Sequence, residues 1–474
     1  MNLKTLLMPA YRRVPPGIRN LASSVWGRHL YSWRYGPETD RLVAEATARE
    51  TWDAATWQAY VQERLAEQLS TAARSVPYYR DWWSGQAGDA GAAELASWPF
   101  LPKQTVRERA ADFRRDDLDV KKLYKLTTSG TTGTPLTIWR SRATMRAWYA
   151  LSDARWRRWY GVSRHDNWAL MAGQEVVPTT QDRPPFWVWN TAAKQLYMST
   201  VHLKRENAVH YLEALRAHEV RFIDGYPSMV ATLARFAVEE GLDAPRLQVV
   251  VTHAETLTQQ QRDLISQAFG CPVRNTYGMG ETVVAASECE HGAMHIWPEV
   301  GYVEVYQDLA DAPAAPGTTG RLVATGLLNK EMPLIRYEVG DRGAVDWTFE
   351  RCACGRTLPR LTALEGRTVD NLVTADGRRV FATPGAFFAG MPIVQAQVIQ
   401  EAVGRVRIRL IPAPGFEASH AETIQQRVRR RLGDISVEVE RVSDLPRGPN
   451  GKLKGVVNLV GTEPTGAPQQ PASG

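Results

Sequence analysis

The sequence predicts an α/β protein with a large N-terminal domain, built on mostly parallel sheets covered by helices, and a small α+β domain near the C-terminal end. The chain has 474 residues, which is more than one simple hydrophobic core accommodates. Between residues 220 and 277, short apolar segments alternate with helical patterns, as in a parallel sheet with helical crossovers. Near residue 365 the composition changes, and from Arg405 onward arginines alternate with aliphatic residues.

The first strong helical signal covers residues 56–75. Apolar side chains recur there at spacings of four, which places them on one face of a helix: Trp57, Val61, Leu65 and Leu69. Residues 137–160 mix aromatic side chains with arginines and also have helical character.

A β-α-β rhythm follows in the middle of the chain. Strands are predicted over residues 220–224, 247–252 and 273–277, with helices over 228–240 and 257–269. Glycine follows both helices, at Gly241 and Gly270, where a left-handed residue commonly ends a helix. Buried strands separated by helices indicate a sheet that is covered on both faces.

The C-terminal part shows a second β-α-β pattern. Alternation from Val406 to Leu410 predicts a half-exposed strand, and Ser419 is predicted to cap a helix that stops at Gly433. Alternation resumes at Ile435. We therefore predict an N-terminal domain over residues 1–365, a small domain over residues 366–460 and a disordered tail, rich in Pro, Gly and Gln, over residues 461–474.

Composition restricts the functional class. With 44% hydrophobic and 23% charged residues the chain is predicted to be a soluble globular protein. The net charge of +6 suits an anionic nucleotide, and the absence of a long Lys/Arg run argues against nucleic acid as a partner. No apolar stretch is long enough to span a membrane and no secretory signal is recognised, so a cytoplasmic location is expected. Four cysteines in so long a chain do not suggest a disulfide framework.

The basic, aromatic segment 1–37 allows two interpretations. Its six Lys and Arg residues precede the first acidic residue, Glu38: Lys4, Arg12, Arg13, Arg19, Arg28 and Arg34. Such a segment could contact an anionic membrane surface as a peripheral element. We favour the alternative, in which it packs across the main domain with solvated arginines.

The most informative stretch of the chain runs from Leu126 to Leu136 and consists of hydroxyl residues, glycines and one proline. Its candidate ligand-binding residues are Thr128, Ser129, Gly130, Thr131, Thr132 and Gly133. Glycines let the backbone approach a ligand closely, and successive N–H groups in such a turn form an anion-binding nest. No lysine follows Gly133, so this is not a Walker A loop. The alternative is a polar hairpin turn.

This stretch resembles the phosphate loop of the adenylate-forming superfamily, which contains acyl-CoA synthetases, adenylation domains and luciferases. Leu136 stands where many members have lysine, a variation that is similar to the phenylacetate–CoA ligase branch, which also includes CapK-type proteins. Further motifs follow in the family's order, and the resemblance covers roughly residues 70–460. It implies ATP and Mg²⁺ as cofactors.

The second motif runs from Asn275 to Thr282, at the carboxyl end of a predicted strand, where ligands of open α/β sheets bind. The resemblance implies that Tyr277 stacks on adenine and that Glu281 holds Mg²⁺, with Asn275 and Gly278 beside the nucleotide. An aromatic face suits a purine and a carboxylate suits magnesium. Gly280 stands where many relatives have Thr or Ser.

Two further elements complete the implied nucleotide site. Asp341, in a Gly-Asp pair after Tyr337, matches the family's acceptor for the ribose hydroxyls, a task that suits a carboxylate. Ala254 and Glu255 match the region that lines the acyl-adenylate pocket, with Trp189, Tyr226 and Met229 as candidate walls.

The last two motifs concern the small mobile α+β domain. Arg367 matches the hinge arginine that reaches the nucleotide, although the usual aspartate two positions later is Val369 here and Asp370 follows it. Lys452, in a Pro/Gly-rich loop, matches the lysine that stabilises charge on the reacting carboxylate and α-phosphate, and Lys454 is the reserve candidate. The resemblance therefore implies catalytic roles for Lys452, Glu281 and Arg367.

Cysteine and histidine form a candidate metal site. Thiolates and imidazole at such local spacings suit tetrahedral Zn²⁺, and we assign Cys289, His295, Cys352 and Cys354 as its ligands. His291 is the less favoured histidine, and reduced cysteines in loops are the alternative. Four protein ligands would close the site, so a structural zinc is expected. Cys271 is interpreted as a buried apolar residue.

The resemblance implies an AMP-forming ligase that activates an aryl or acyl carboxylic acid and passes it to CoA. Two alternatives stay open: an amine or hydroxyl acceptor, and a non-catalytic nucleotide-binding protein. The sequence leaves the acid and a homodimeric state undetermined.

Overall fold

The structure is a computed structural model that describes residues 11, 14–84, 94–127, 136–308, 310–367, 371–381, 387–448 and 451–460. For residues 366, 367, 371 and 379–381 only the backbone is described. Two units are distinguished by their internal contacts: Met1–Gly366 with Arg447–Lys452, and Arg367–Pro446 with Leu453–Gly474.

Helices of the larger unit cover much of its sequence. Their bounds are α1 Pro16–Arg34, α2 Thr39–Arg49, α3 Ala54–Ser75, α4 Pro77–Ser84, α5 Lys103–Glu108, α6 Arg142–Ser152, α7 Ala208–Ala217, α8 Pro227–Glu239 and α9 Gln259–Phe269. The Asp53 side chain caps α3 by accepting a hydrogen bond from the Thr56 N–H. The apolar face predicted for this helix is buried at Trp57, Val61, Leu65 and Leu69.

Two groups of strands belong to the larger unit. A hairpin is formed by β1 Tyr124–Thr127 and β2 Thr137–Arg140. The remaining strands are β3 Trp168–Met171, β4 Trp187–Asn190, β5 Gln195–Met198, β6 Phe222–Gly225, β7 Val249–Thr252, β8 Val273–Gly278, β9 Ala285–Glu288, β10 Met294–Ile296, β11 Gly301–Tyr306, β12 Gly320–Gly326, β13 Tyr337–Asp346 and β14 Arg360–Arg367.

These strands form one sheet in the order β11-β12-β13-β14-β10-β9-β8-β7-β6-β3-β5-β4. The run β5-β3-β6-β7-β8 is parallel, as predicted for the middle of the chain. From β8 to β10 and from β11 to β13 the described pairs are antiparallel, so the large sheet is mixed. The predicted α/β class is confirmed, while the parallel order is confined to one half of the sheet.

Apolar side chains from α7, α8 and α9 pack on one face of the parallel strands. Gly225, at the end of β6, allows a close approach of β3: a Cβ there would lie 2.8 Å from the Met171 carbonyl oxygen. Any larger residue would separate β6 from β3 at the edge where the candidate site lies.

In the smaller unit, the strands are β15 Asn371–Val373, β16 Arg379–Phe381, β17 Ile393–Ala402, β18 Arg405–Pro412, β19 Ser436–Arg441 and β20 Val456–Asn458. Four of them form a sheet in the order β19-β18-β17-β20, and β15 pairs with β16. Helix α10, Ala418–Leu432, connects the parallel strands β18 and β19 and buries Ile424, Val428 and Leu432 against them.

The predicted start of α10 is wrong in its capping residue. Glu417, not Ser419, occupies the N-cap, and its side chain and that of His420 form reciprocal hydrogen bonds with the backbone. The Glu417 N–H donates to His420 Nδ1 at 3.0 Å. Serine is a preferred N-cap residue and glutamate is not, which is why the sequence pattern indicates Ser419.

In the part of the chain that the structure describes, no helix combines the length and the apolarity needed to cross a membrane.

Candidate functional site

Three parallel strands end side by side at the edge predicted to bind ligands. Gly225 of β6 lies beside Thr252 of β7, which lies beside Asn275 of β8. Two residues that follow these ends have left-handed backbone conformations, Ala254 with φ 66° and Thr282 with φ 59°. Such conformations in residues other than glycine are strained and concentrate at functional sites.

Tyr277 and Asp341, which are distant in sequence, touch at this edge. The Tyr277 hydroxyl donates a hydrogen bond of 2.7 Å to Asp341 Oδ2. The aromatic ring predicted to stack on adenine therefore lies next to the carboxylate predicted to accept the ribose hydroxyls. This spacing suits the two ends of one nucleoside.

Glu281 is buried, with 3% exposure, and one of its carboxylate oxygens accepts two hydrogen bonds. Its Oε1 accepts hydrogen bonds from Lys103 Nζ at 2.7 Å and from the Tyr337 hydroxyl at 2.9 Å. Burial raises the pKa of the carboxyl, but the Lys103 ammonium and the two hydrogen bonds outweigh burial and hold the pKa below its ordinary value. The carboxylate is therefore ionised at neutral pH.

Lys103 owes its position to Arg336. The buried Arg336 guanidinium donates to the carbonyl oxygens of Ala96 and Trp98 at 3.1 and 2.7 Å. Leu101 pairs with Tyr337 in the same segment. The arginine that precedes the tyrosine, opposite to the usual order of the motif, thus holds the segment that delivers Lys103.

The hairpin β1–β2 contacts the segment that follows β8. Arg140, the last residue of β2, donates to the Gly280 carbonyl oxygen and to the Thr282 hydroxyl. Arg140 is buried, and burial lowers its pKa. The loop residues Thr128, Ser129, Gly130, Thr131, Thr132 and Gly133 lie outside the described residues.

Residues after β6 and β7 form the other side of the edge. Glu255 Oε2 accepts a hydrogen bond from the Ser228 N–H at 3.2 Å, while Ala254 is exposed. The loop Arg447–Lys452 belongs to the same unit. Arg447 donates to the Ser228 hydroxyl at 2.6 Å, and Lys452 Nζ lies 5.5 Å from the centre of the Tyr226 ring.

The predicted residues of the cleft are of three kinds: those that the structure brings near one another, those that lie on β8, and those outside the described residues. The structure brings Tyr277 and Asp341 into contact, and it places Lys452 beside Tyr226. Asn275 is held by a 3.0 Å hydrogen bond from the Thr252 hydroxyl to its Oδ1, and Gly278 ends β8. The side chain of Arg367, with residues 368–370, lies outside the described part of the chain.

From the sequence, no site role is assigned to several residues that lie at this edge: Lys103, Arg140, Asp224, His253 and Tyr337. His253 Nε2 lies 3.2 Å from Asp224 Oδ1, and the His253 ring is 5.4 Å from that of Tyr226. A single lysine after a proline, such as Lys103, does not indicate a functional site in a sequence. His253, in contrast, directly precedes the two residues assigned to the acyl-adenylate pocket, and that position could have revealed it.

The four predicted metal ligands converge. Ligand atoms of Cys289, His295, Cys352 and Cys354 all lie within 4.8 Å of one another. His295 Nε2 is 3.4 Å from Cys354 Sγ, whereas Nδ1 faces the Leu358 carbonyl oxygen at 3.1 Å. An Nδ1–H bond to a carbonyl leaves Nε2 as the ligand atom, as is typical of histidines that bind metals.

Local backbone turns shape this cysteine and histidine cluster. The Gly292 N–H donates to the Cys289 carbonyl oxygen at 3.0 Å, and the Gly355 N–H donates to that of Cys352 at 2.8 Å. Both glycines have positive φ, 81° and 85°. Burial lowers the pKa of His295 to about 4, so its imidazole is neutral. Three thiols and a neutral imidazole form a donor set that fits Zn²⁺.

The donor chemistry of Glu281 fits Mg²⁺, since its carboxylate is ionised and the Lys103 and Tyr337 side chains both bind Oε1. Among the described residues, the cysteine and histidine cluster is the only group of three or more candidate ligands.

The chain is similar to proteins of one known family. The profile of the AMP-binding enzyme family matches residues 61–328, which is more than half of the chain, and the profile of the CapK C-terminal domain matches residues 372–459. Protein CapK of Staphylococcus aureus is 24% identical over 377 residues, which cover 78% of this chain and 81% of CapK. Phenylacetate-coenzyme A ligase of Thermus thermophilus is 25% identical over 468 residues, which cover 90% of this chain and 99% of that protein.

A solved structure has the same fold. The structure of 2-hydroxyisobutyryl-CoA ligase in the postadenylation state, in complex with R3-HIB-AMP, has a TM-score of 0.65 at 22% identity and covers 86% of this chain and 91% of its own. The chain therefore belongs to the AMP-binding enzyme family of adenylate-forming ligases, in the branch that contains CapK and phenylacetate–CoA ligase.

Proposed function

We propose that this AMP-forming ligase activates an aryl or acyl carboxylic acid with MgATP and transfers the acyl group to CoA. In the first half-reaction the substrate carboxylate attacks the α-phosphorus of ATP, which gives acyl-AMP and releases pyrophosphate. In the second, the acceptor attacks the acyl carbon, the acceptor's proton is lost, and AMP leaves.

One observation carries this proposal: the contact between Tyr277 and Asp341 on a sheet edge that also holds the ionised Glu281. The Tyr277 face and the Asp341 carboxylate suit the adenine and the ribose of one nucleotide. Asn275 and Gly278 lie on the same strand, and Ala254 and Glu255 follow the neighbouring strand. Tyr277 and Asp341 are in contact although they lie 64 positions apart along the chain.

In this proposal, cationic side chains and a polar loop stabilise the charge on the reacting groups. We assign Lys452 and Arg367 to the developing charge on the carboxylate and the α-phosphate, and the loop 128–133 to the β- and γ-phosphates. Magnesium at Glu281 would neutralise phosphate charge. In this proposal residues 366–460 act as a mobile unit that presents different residues in the two half-reactions.

CoA is the first acceptor to test because phenylacetate-coenzyme A ligase matches 90% of the chain. The CapK C-terminal domain match over residues 372–459 keeps an amine or hydroxyl acceptor as the second candidate. His253 beside Asp224 is suited to accept a proton from any of these nucleophiles, since imidazole is the commonest general base.

The cluster of Cys289, His295, Cys352 and Cys354 is proposed to hold a structural Zn²⁺. Four protein ligands leave no open position for a substrate, so this metal would stabilise the fold and take no part in the ligase chemistry.

Pyrophosphate release tests the proposal directly. The purified chain is incubated with MgATP and a panel of aryl and fatty acids; at least one acid should give acid-dependent pyrophosphate. CoA, amines and hydroxyl compounds are then added separately with that acid, and the product is identified by mass spectrometry. Nucleotide binding with no acid-dependent pyrophosphate across the panel would favour the non-catalytic alternative.

A further inference from the structure

We propose that the outer face of helix α1 binds the surface of a bilayer that contains anionic phospholipid. The proposal concerns a surface that the ligase chemistry does not use, and it stands independently of the proposed function.

Helix α1 exposes a ridge of apolar side chains, here called the outer ridge: Ile18, Leu21, Ala22, Val25 and Trp26. Leu21 and Val25 are each 65% exposed, Ile18 50% and Trp26 41%. These positions follow the pattern i, i+3, i+4, i+7 and i+8, so they lie on one face of the helix. The ridge extends about 12 Å at the α-helical rise of 1.5 Å per residue.

Contacts on the opposite face fix the direction of the outer ridge. Asn20 Oδ1 accepts a hydrogen bond from the Trp189 N–H at 3.0 Å, and the Ser24 hydroxyl oxygen accepts one from the Thr191 N–H at 3.1 Å. A Cβ at the buried Gly27 would lie 2.2 Å from the Asn190 side chain. Because α1 is tightly packed on β4, its apolar ridge faces outward as a feature of the folded unit.

Charge around the ridge selects an anionic surface. The first 37 residues contain no Asp or Glu. Arg28 is exposed next to the ridge, and Lys4, Arg12 and Arg13 precede the helix in the sequence. Basic residues beside an apolar helix face, with a tryptophan at the boundary, are typical of helices that lie in the interface of anionic membranes. Pairing of two copies through this ridge would bring like charges together.

Vesicle flotation with the full-length chain tests this inference. At low salt, the protein should partition onto vesicles of phosphatidylcholine with about 30% phosphatidylglycerol and bind much less to phosphatidylcholine alone. The variant L21E/V25E should lose at least about tenfold in partitioning, because two charges replace the apolar contact. Val238→Glu is the matched control, since Val238 is 38% exposed on helix α8 of the same unit.

A second variant separates charge from apolar contact. Arg28→Glu should weaken binding to anionic vesicles by about fivefold or more and leave any binding to neutral vesicles unchanged. Thermal unfolding without vesicles checks that each variant folds. The proposal is overturned if wild type fails to bind anionic vesicles at low salt, or if L21E/V25E binds as wild type does. It is also overturned if L21E/V25E converts a dimer into a monomer, because the ridge would then be covered by a second copy.

Discussion

Two residues decide the charge of Glu281 before any nucleotide binds. Lys103 and Tyr337 both donate to Oε1, and together they keep a buried carboxylate ionised. Neither residue belongs to the motif that contains Glu281. A carboxylate that is already ionised needs no proton loss when it takes a hard cation, which suits the magnesium role assigned to it.

Removal of the Lys103 ammonium should destabilise the protein in a pH-dependent way. The Glu281 pKa is lower in the fold than in the unfolded chain, so the pair's contribution to the free energy of unfolding is complete above about pH 4.3 and is lost as the pH falls through the lower folded pKa. In Lys103→Met, burial would instead raise this pKa. The free energy of unfolding of this variant should be lower than that of wild type by about 1–3 kcal/mol at pH 7, and by less at pH 4. The effect at pH 7 is limited because Lys103 is 35% exposed.

Urea unfolding of wild type and Lys103→Met at the two pH values measures this difference. Lys121→Met, at an exposed lysine, is the control and should have little effect at either pH. An equal loss of stability at pH 7 and pH 4 would contradict the ionised state assigned to Glu281.

Asp341 gives a prediction about nucleotide affinity. If its carboxylate accepts the ribose hydroxyls, Asp341→Asn should raise the KM for ATP by about 10- to 100-fold, the loss expected for hydrogen bonds to a charged group. Acid-dependent pyrophosphate release at varied ATP measures the change. Glu338→Gln is the control on the same strand, because Glu338 pairs with Arg321. A normal KM for ATP in Asp341→Asn would refute the assignment.

At the scale of elements, the cysteine and histidine cluster joins two turns of the antiparallel half of the sheet. Cys289 and His295 belong to the β9–β10 hairpin, and Cys352 and Cys354 lie in the turn before β14. His295 of β10 also pairs with Arg360 of β14. A metal bound here would therefore fix a junction between strands that are otherwise joined through few backbone contacts.

Metal analysis tests this role. The purified wild-type chain should contain about one equivalent of zinc, and Cys289→Ser should contain much less and unfold at a lower temperature, because the ligand set is incomplete. Cys271→Ala is the control, since Cys271 is a buried thiol outside the cluster and should leave the zinc content unchanged. A full zinc equivalent in Cys289→Ser would exclude this cluster as the binding site.

Prediction from sequence succeeded where local patterns determine structure. The parallel strands β6, β7 and β8 have strong apolar signals, and their glycine-terminated helices were recognised with small errors in their ends. The antiparallel strands β9 to β14 were not predicted, because their pairing depends on residues that are distant in sequence. Contacts of Lys103 and Arg140 with the loop around Glu281 were missed for the same reason.

At the scale of the whole molecule, the loop Arg447–Lys452 is expected to serve one half-reaction more than the other. This loop interrupts the sequence of the smaller unit but is grouped by its contacts with the larger one. The arrangement with Lys452 near Tyr226 suits the adenylation step, in which negative charge builds on the reacting carboxylate and the α-phosphate. The second half-reaction would not need the same cation if the small unit changes its position between steps.

Lys452→Ala should therefore separate the half-reactions. Acid-dependent pyrophosphate release should fall by about 10²- to 10³-fold, the usual effect of removing a group that stabilises developing charge. Transfer from a preformed acyl-adenylate to the acceptor should change by less than about threefold, because a lost adenylation contact does not enter that step. Lys454→Ala, at the reserve candidate on the same segment, should retain both activities if Lys452 has this role. Equal losses in both half-reactions would show that Lys452 serves a site that does not change between them, and an unchanged adenylation rate would transfer the role to another cation.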